Sequence, residues 1–132
     1  MSEAAIEITA FEMLDGEAGV HALVELFYDL MDLEPQYAEL RATHGNTLDD
    51  ARRKLFWFLC GWLGGPNHYV ERFGHPRLHM RHRPFVIGVR ERDQWVACMG
   101  QAMSELEIEP DLRQFLLDRF FRVADRMRNQ VE

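Results

Sequence analysis

Apolar side chains recur every three or four positions along most of the chain, which is the spacing of one face of an α-helix. The first stripe consists of Val20, Leu23, Val24, Phe27, Leu30 and Met31. Pro35 separates it from a shorter helix predicted around Tyr37 to Leu40, because proline cannot continue a helix interior. No alternating strand pattern of useful length competes with this periodicity. The chain is therefore predicted to be all-α.

The same spacing predicts three more helices. Their stripes are Ala51, Leu55, Phe58, Leu59 and Trp62; Trp95, Met99, Ala102, Met103 and Leu106; and Leu112, Leu116, Phe120, Val123 and Met127. We expect Asn46 or Thr47 to cap the first of these three, and Gly64-Gly65-Pro66 to end it. Pro110 separates the other two.

Residues 64–88 interrupt the helical pattern with glycine, proline and charge, and predict a loop with a turn or two of helix. A segment so short on regular structure in a small helical domain is usually functional or held by a bound group. It contains His75, His79 and His82, and Pro76 and Pro84 bracket a short, sharply ended turn. Neutral imidazole is the commonest protein metal ligand, so this segment is the first candidate site.

Two interpretations of these patterns are open at this point. His75, His79 and His82 have i, i+4 and i+7 spacing, and could bind tetrahedral Zn²⁺ with water as the fourth ligand. Against zinc, no H-E-x-x-H signature accompanies them, and the two prolines leave little helix to carry three ligands. The other interpretation is a cofactor-free helical interaction module, which the amphipathic stripes alone favour.

Composition narrows the class of protein. A length of 132 residues favours one domain over 1–132, with residues 1–10 expected to form a flexible extension. The formal charge of −7 argues against nucleic acid or an anionic membrane as a partner. The first residues lack a signal-peptide pattern, which leads us to expect a cytoplasmic protein. Cys60 and Cys98 are predicted to be reduced, packed thiols.

One long run of residues carries a family resemblance. It comprises Gly64-Gly65-Pro66, Tyr69, Gly74-His75-Pro76-Arg77-Leu78, Met80-Arg81-His82, Pro84-Phe85, Ile87, Glu91-Arg92-Asp93-Gln94-Trp95 and Cys98-Met99, with Leu26-Phe27-Tyr28 as an earlier block. The run resembles the truncated haemoglobins, specifically their second group. This implies a two-over-two helical sandwich around one haem b, and reversible binding of O2 and other diatomic ligands. A single axial histidine holds the haem iron in globins, and the resemblance puts that proximal ligand on His82.

The resemblance also implies the residues of the distal side. It assigns Trp95 and Tyr28 as donors to the bound ligand. His44 falls where relatives commonly carry phenylalanine or tyrosine, although a gap of one residue would move that match to Thr43. An inward-facing His44 would add a titratable donor. Ala51 matches the position of a distal histidine or glutamine in many globins, and its methyl group donates nothing.

The remaining implied residues hold the cofactor. The apolar sleeve expected against the ring consists of Phe27, Leu55, Phe58, Leu59, Leu78, Phe85, Ile87 and Met99. Lys54, Tyr69 and Arg81 match the partners of the haem propionates. Nitric-oxide or peroxide detoxification chemistry, with an unidentified reductase, is an open extension, because such activities use the same donors. We expect a monomer or a weak homodimer.

Overall fold

The computed structural model describes residues 8–75 and 87–128, and the regular structure in these ranges is entirely helical. The α-helices there are α1 (Ala10–Met13), α2 (Gly16–Leu33), α3 (Ala38–Ala42), α4 (Asp49–Trp62), α5 (His68–Phe73), α6 (Val89–Glu105) and α7 (Pro110–Met127). A short 3₁₀ turn, Pro35–Tyr37, precedes α3. The predicted all-α class is confirmed.

The long helices form two packed pairs. Helix α2 packs on α4, α6 packs on α7, and α2 crosses to contact α6. This is the two-over-two arrangement expected from the sequence. The predicted stripes supply its core, in which the most deeply buried side chains are Val20, Leu23, Val24, Phe27, Met31, Leu59, Cys60, Cys98, Met99, Ala102, Met103, Leu116 and Phe120.

Neither Asn46 nor Thr47 occupies the cap position of α4, so that prediction was wrong. Leu48 occupies the cap position and makes no side-chain cap hydrogen bond, while the Thr47 hydroxyl accepts from the Asp49 amide at 3.3 Å. Asp49 and Asp50 lie in the first turn, where negative charge suits the helix dipole. Helix α5 supplies one of the helical turns expected after Gly64.

The N-terminal helix α1 packs against the turn that ends α4. Thr9 caps α1 in a reciprocal pair with Glu12, and the Phe11 amide donates to the Leu63 carbonyl at 2.9 Å. Gly64 has φ of +103°, and a Cβ there would lie 2.9 Å from the Thr9 Cβ. Because a side chain would strain and crowd this position, glycine lets α1 approach the turn closely.

The two cysteines are free and buried, which confirms the expectation of packed thiols. Burial raises the pKa of Cys98 to about 12 and that of Cys60 to about 11. The Cys98 thiol donates to the Phe27 carbonyl at 3.2 Å and so ties α6 to α2. In the described ranges, no helix is long and apolar enough to cross a membrane.

Candidate functional site

A group of aromatic rings joins α2 to α6 at the centre of the molecule. The Phe27 ring meets Tyr28 edge-on at 4.9 Å between centroids, and meets Trp95 edge-on at 5.2 Å. Phe27 is fully buried, Tyr28 is buried, and Trp95 is half-buried. The two residues expected on the distal side are thus brought to one shared ring, although 67 positions separate them in the sequence.

Tyr28 and Trp95 each present a polar hydrogen to this region. Within residues 8–75 and 87–128, neither the Tyr28 hydroxyl nor the Trp95 indole N–H has a hydrogen-bond partner. In the same ranges, no side-chain nitrogen or oxygen is fully enclosed without a partner, so both atoms keep some accessible surface. Buried tyrosine and tryptophan usually find a partner for their polar atom. Two such donors that lack a partner indicate a place where a ligand can accept their hydrogen bonds.

The Tyr28 hydroxyl remains protonated over the physiological range. Burial raises its pKa well above the ordinary value of 10.0, and the nearby positive charge of Arg52 offsets part of that rise. A neutral phenol keeps its hydrogen and can donate it. Tyr28 is therefore available as a donor wherever the protein is folded at ordinary pH.

His44 lies beside Tyr28, as an inward-facing residue would. The two ring centroids are 5.9 Å apart with an interplanar angle of 81°, and His44 is half-buried. Its Nδ1 lies 3.1 Å from the Leu40 carbonyl oxygen and 3.2 Å from the Thr43 hydroxyl oxygen. With the proton on Nδ1 the neutral ring donates to that carbonyl, and Nε2 gains a hydrogen only in the doubly protonated ring. With the proton on Nε2 the neutral ring is the donor that the sequence predicted.

The corner before α4, residues 37–44, carries His44 and is hydrogen-bonded to α6. The Gln94 side chain accepts from the Leu40 amide at 2.9 Å and donates to Glu39 at 2.6 Å. One turn earlier, the Tyr37 hydroxyl donates to Gln101 at 2.6 Å. Because Gln94 precedes Trp95, one stretch of α6 fixes both the tryptophan and the histidine corner.

The described residues of the predicted apolar sleeve fall into two groups that differ in exposure. Leu55, Phe58, Trp95 and Ile87 are half-buried and retain surface that a ligand could cover, as does Ala51. Phe27, Leu59 and Met99 are at most 1% exposed, so protein atoms already cover them. Direct contact between these last three residues and a cofactor stays a prediction.

Two of the expected propionate partners converge on Phe73. Tyr69 is buried with its ring centroid 4.7 Å from that of Phe73, and the exposed Lys54 ammonium lies 5.7 Å from the same ring centre. Lys54 also pairs with Asp50 at 2.9 Å, which lowers the pKa of that carboxyl. A cavity of about 190 Å³ is lined by Tyr69 and by the α4 rings of Trp57, Phe58 and Trp62, together with Gly61, Asn67 and Val70.

Several expected site residues lie outside the described residues: the proximal ligand His82, the propionate partner Arg81, and Leu78 and Phe85 of the apolar sleeve. The zinc hypothesis also depends on residues outside those ranges, His79 and His82. Its third member, His75, is exposed. Within the described part of the chain, no group of three or more histidine, cysteine, aspartate and glutamate residues could hold a metal ion.

Sequence reasoning missed the residues that support the donors. Phe120 of α7 lies 5.4 Å from Trp95 and stacks on Trp62 at 5.0 Å between centroids. Arg52 reaches from α4 to the Tyr28 ring. Phe120 was visible in an apolar stripe, but a stripe does not say which ring it touches. A lone arginine in a helix gives no signal of its partner.

This arrangement of helices and donors belongs to a globin. Residues 9–129 match the bacterial-like globin family, and the chain belongs to it. Within that family the chain is a truncated, group II haemoglobin, as its relatives show.

The chain is 38% identical to the group 2 truncated hemoglobin YjbI of Bacillus subtilis, over 89% of this chain and 86% of that one. A group II 2-on-2 hemoglobin from Agrobacterium tumefaciens has TM-score 0.91 and 42% identity, with 98% of each chain covered. A cold-adapted truncated hemoglobin from Pseudoalteromonas haloplanktis has TM-score 0.90 and 41% identity, with 94% of this chain and 100% of that one covered.

Membership of this family implies a haem cofactor. The described residues fit such a group in two respects. Half-buried apolar side chains on α4 and α6 offer surface to a flat ring. The unpartnered donors of Tyr28 and Trp95 lie beside these side chains. Tyr69 and Lys54, the expected propionate partners, both carry groups that can donate a hydrogen bond.

Proposed function

We propose that this protein binds O2 and other diatomic ligands reversibly through haem b. Haem supplies an iron at which such ligands coordinate, and His82 is the proximal ligand by the family resemblance. The observation that carries the proposal is the pair of unpartnered donors, the Tyr28 hydroxyl and the Trp95 indole N–H, on either side of Phe27.

The two donors determine how long a ligand stays. Haem would supply electron density to O2, which would make O2 a better hydrogen-bond acceptor for these two residues than carbon monoxide. A donor that faces a charged acceptor contributes ~1.5–3 kcal/mol, more than an ordinary hydrogen bond. Tyr28 and Trp95 favour O2 by this mechanism, and the surrounding apolar side chains keep water from competing.

The visible absorption spectrum of the purified protein tests the cofactor. We expect an intense Soret band, and spectral changes on titration of the reduced protein with O2. Stoichiometric zinc without that band would instead support the zinc hypothesis, and neither signal would support a cofactor-free module. Ligand binding without dependence on Tyr28 or Trp95 would contradict their assigned roles.

The same donors support an extension to nitric-oxide oxidation or peroxide reduction, both of which place negative charge on oxygen atoms at this site. Either activity needs electrons from a reductase, which we propose as a partner. Stopped-flow mixing of the oxygenated protein with nitric oxide, alongside peroxide turnover on the same preparation, distinguishes these reactions from simple O2 binding. Rates no faster than those of free haem would exclude both.

A further inference from the structure

Arg52 joins the two helices on either side of the distal site. It lies on α4, and its side chain is 20% exposed. One guanidinium nitrogen donates to a Glu25 carboxylate oxygen at 2.7 Å, and the other donates to an Asp29 carboxylate oxygen at 2.8 Å. The first nitrogen also reaches the Glu25 carbonyl at 3.2 Å. Because Glu25 and Asp29 are one turn apart on α2, the rigid arginine fork spans that turn.

Tyr28 lies within the span that Arg52 holds. It is three residues after Glu25 and one before Asp29, and the guanidinium carbon of Arg52 lies 5.8 Å from the Tyr28 ring centroid. That distance is within the range of a cation–π contact. Phe27 and His44 contact the same ring edge-on. The position of the Tyr28 ring is thus determined by neighbours on its own helix, on the corner and on α4.

The positive charge of Arg52 favours hydrogen-bond donation by Tyr28, as its position does. A positive charge near a phenol favours release of its hydrogen, and Arg52 offsets part of the rise in the Tyr28 pKa that burial causes. A phenol with a more polarised O–H bond is the stronger donor. Arg52 therefore affects both where the hydroxyl lies and how well it donates.

We propose that Arg52 is a positioning residue for the distal site: by fixing α2 against α4 it holds the Tyr28 hydroxyl where it donates to a bound diatomic ligand. This inference rests on the proposed function, and it adds a residue outside the ligand's own contacts. The two carboxylates explain why arginine is used here. A lysine is a point charge and cannot engage Glu25 and Asp29 with the same fixed fork.

Arg92 provides a matched control on the other helix pair. Its guanidinium bonds Asp93 and Asp125 at 2.9 Å each and lies 4.9 Å from the Phe121 ring centre. Its side chain is 16% exposed, close to the value for Arg52. Arg92 therefore makes the same kinds of contact, two carboxylates and one ring, where α6 meets α7 and away from Tyr28.

The first measurement is the rate of ligand release. We expect Arg52→Gln to speed O2 dissociation about three- to tenfold, the size of typical couplings between contacting residues, and to affect carbon monoxide less. Arg52→Lys should give a smaller increase in the O2 dissociation rate, and it replaces Arg52→Gln in the test if that variant does not fold. Arg92→Gln should leave both rates unchanged. Equal effects of Arg52→Gln and Arg92→Gln would overturn the proposal.

A double-mutant cycle with Tyr28→Phe tests whether Arg52 acts through the tyrosine. In the Tyr28→Phe protein the hydroxyl is gone, so adding Arg52→Gln should cause no further acceleration of O2 release. The same acceleration in both backgrounds would show that Arg52 does not act through Tyr28, and would overturn the proposal.

A third measurement is amide hydrogen exchange of the purified protein, which does not depend on ligand release. We expect Arg52→Gln to speed amide hydrogen exchange in the middle of α2, around residues 25–31, whereas Arg92→Gln does not. Unchanged exchange there would contradict the claim that Arg52 fixes α2. A wild-type protein that fails to bind haem would refute the proposed function, while a haem-binding protein with an unaffected Arg52→Gln variant would refute this inference alone.

Discussion

Trp95 packs edge-on against Phe120, with ring centroids 5.4 Å apart and an interplanar angle of 64°. Phe120 belongs to α7 and stacks on Trp62 of α4 at 5.0 Å and 24°. One side chain of α7 thus contacts a tryptophan on each of two neighbouring helices. Phe120, which joins α7 to α4, also packs against the indole that carries the donor of α6.

This contact predicts the effect of Phe120→Ala. Phe120 is 2% exposed, and removing a buried phenylalanine ring costs ~3–5 kcal/mol of unfolding free energy. Phe115→Ala is the control because Phe115 is on the same helix but 52% exposed, so its loss should cost less than ~1 kcal/mol. Urea unfolding measures both. Similar losses in the two variants would contradict the packing described for Phe120.

Removing the indole N–H in Trp95→Phe should speed O2 dissociation about 10- to 100-fold, which corresponds to a loss of ~1.5–3 kcal/mol of hydrogen bonding. Carbon monoxide is a poorer acceptor, and its release should change less. Stopped-flow displacement of the bound gas from the O2 complex and from the carbon monoxide complex gives the two dissociation rates. Equal acceleration for both gases would indicate altered packing in place of a lost donor.

His44→Phe should remove a pH dependence. Nδ1 of His44 lies 3.1 Å from the Leu40 carbonyl oxygen, and when it donates there, Nε2 donates only after the ring gains a second proton. Protonation of the ring as the pH falls would add a donor, which should slow O2 release. The pH profile of O2 dissociation checks this. If the profile of the variant equals that of the wild type, His44 does not act on the ligand.

His82→Ala should abolish stable haem retention, or leave a haem that exchanges readily, because a single axial histidine is the protein's bond to iron in globins. His75→Ala is the control, since His75 is exposed and the resemblance gives it no such role. Absorption spectra and transfer of haem to an acceptor globin measure retention. A normal spectrum of His82→Ala without added imidazole would exclude the assignment.

The buried thiols predict a loss of stability in alkali. Burial raises the pKa of Cys98 from 9.0 to about 12, so the folded state keeps a proton that the unfolded state releases. The stabilisation is complete below about pH 9 and is lost as the pH rises toward about 12. We expect Cys98→Ala to flatten the fall of unfolding free energy across that range. An unchanged slope would show that Cys98 does not contribute.

The core was predictable from periodicity, whereas the side-chain pairings were not. Val20, Leu23 and Val24 are buried as their spacing predicts, because burial on a helix depends only on position around its axis. The contact between Tyr28 and Trp95 through Phe27 depends on how α2 crosses α6, which spacing along either helix does not encode. The resemblance supplied those two residues where the pattern could not.

Polar side chains were harder to place than apolar ones. Gln94 and Arg52 lie among many polar residues of similar type, and what distinguishes them is their partners on another helix. Leu48 occupies the cap position of α4 although Asn46 and Thr47 are better capping residues, so capping preference alone does not decide where this helix begins.

The close approach of α1 to Gly64 joins the first helix to the middle of the sequence. The backbone leaves α4 at this glycine and continues toward Tyr69, one of the residues expected at the cofactor's edge. Since Thr9 and Phe11 lie directly over that exit, the direction the chain takes there is fixed by residues more than fifty positions earlier. We therefore expect a substitution of Thr9 or Phe11 to alter the direction of the chain that leads to Tyr69, and through it the retention of the cofactor.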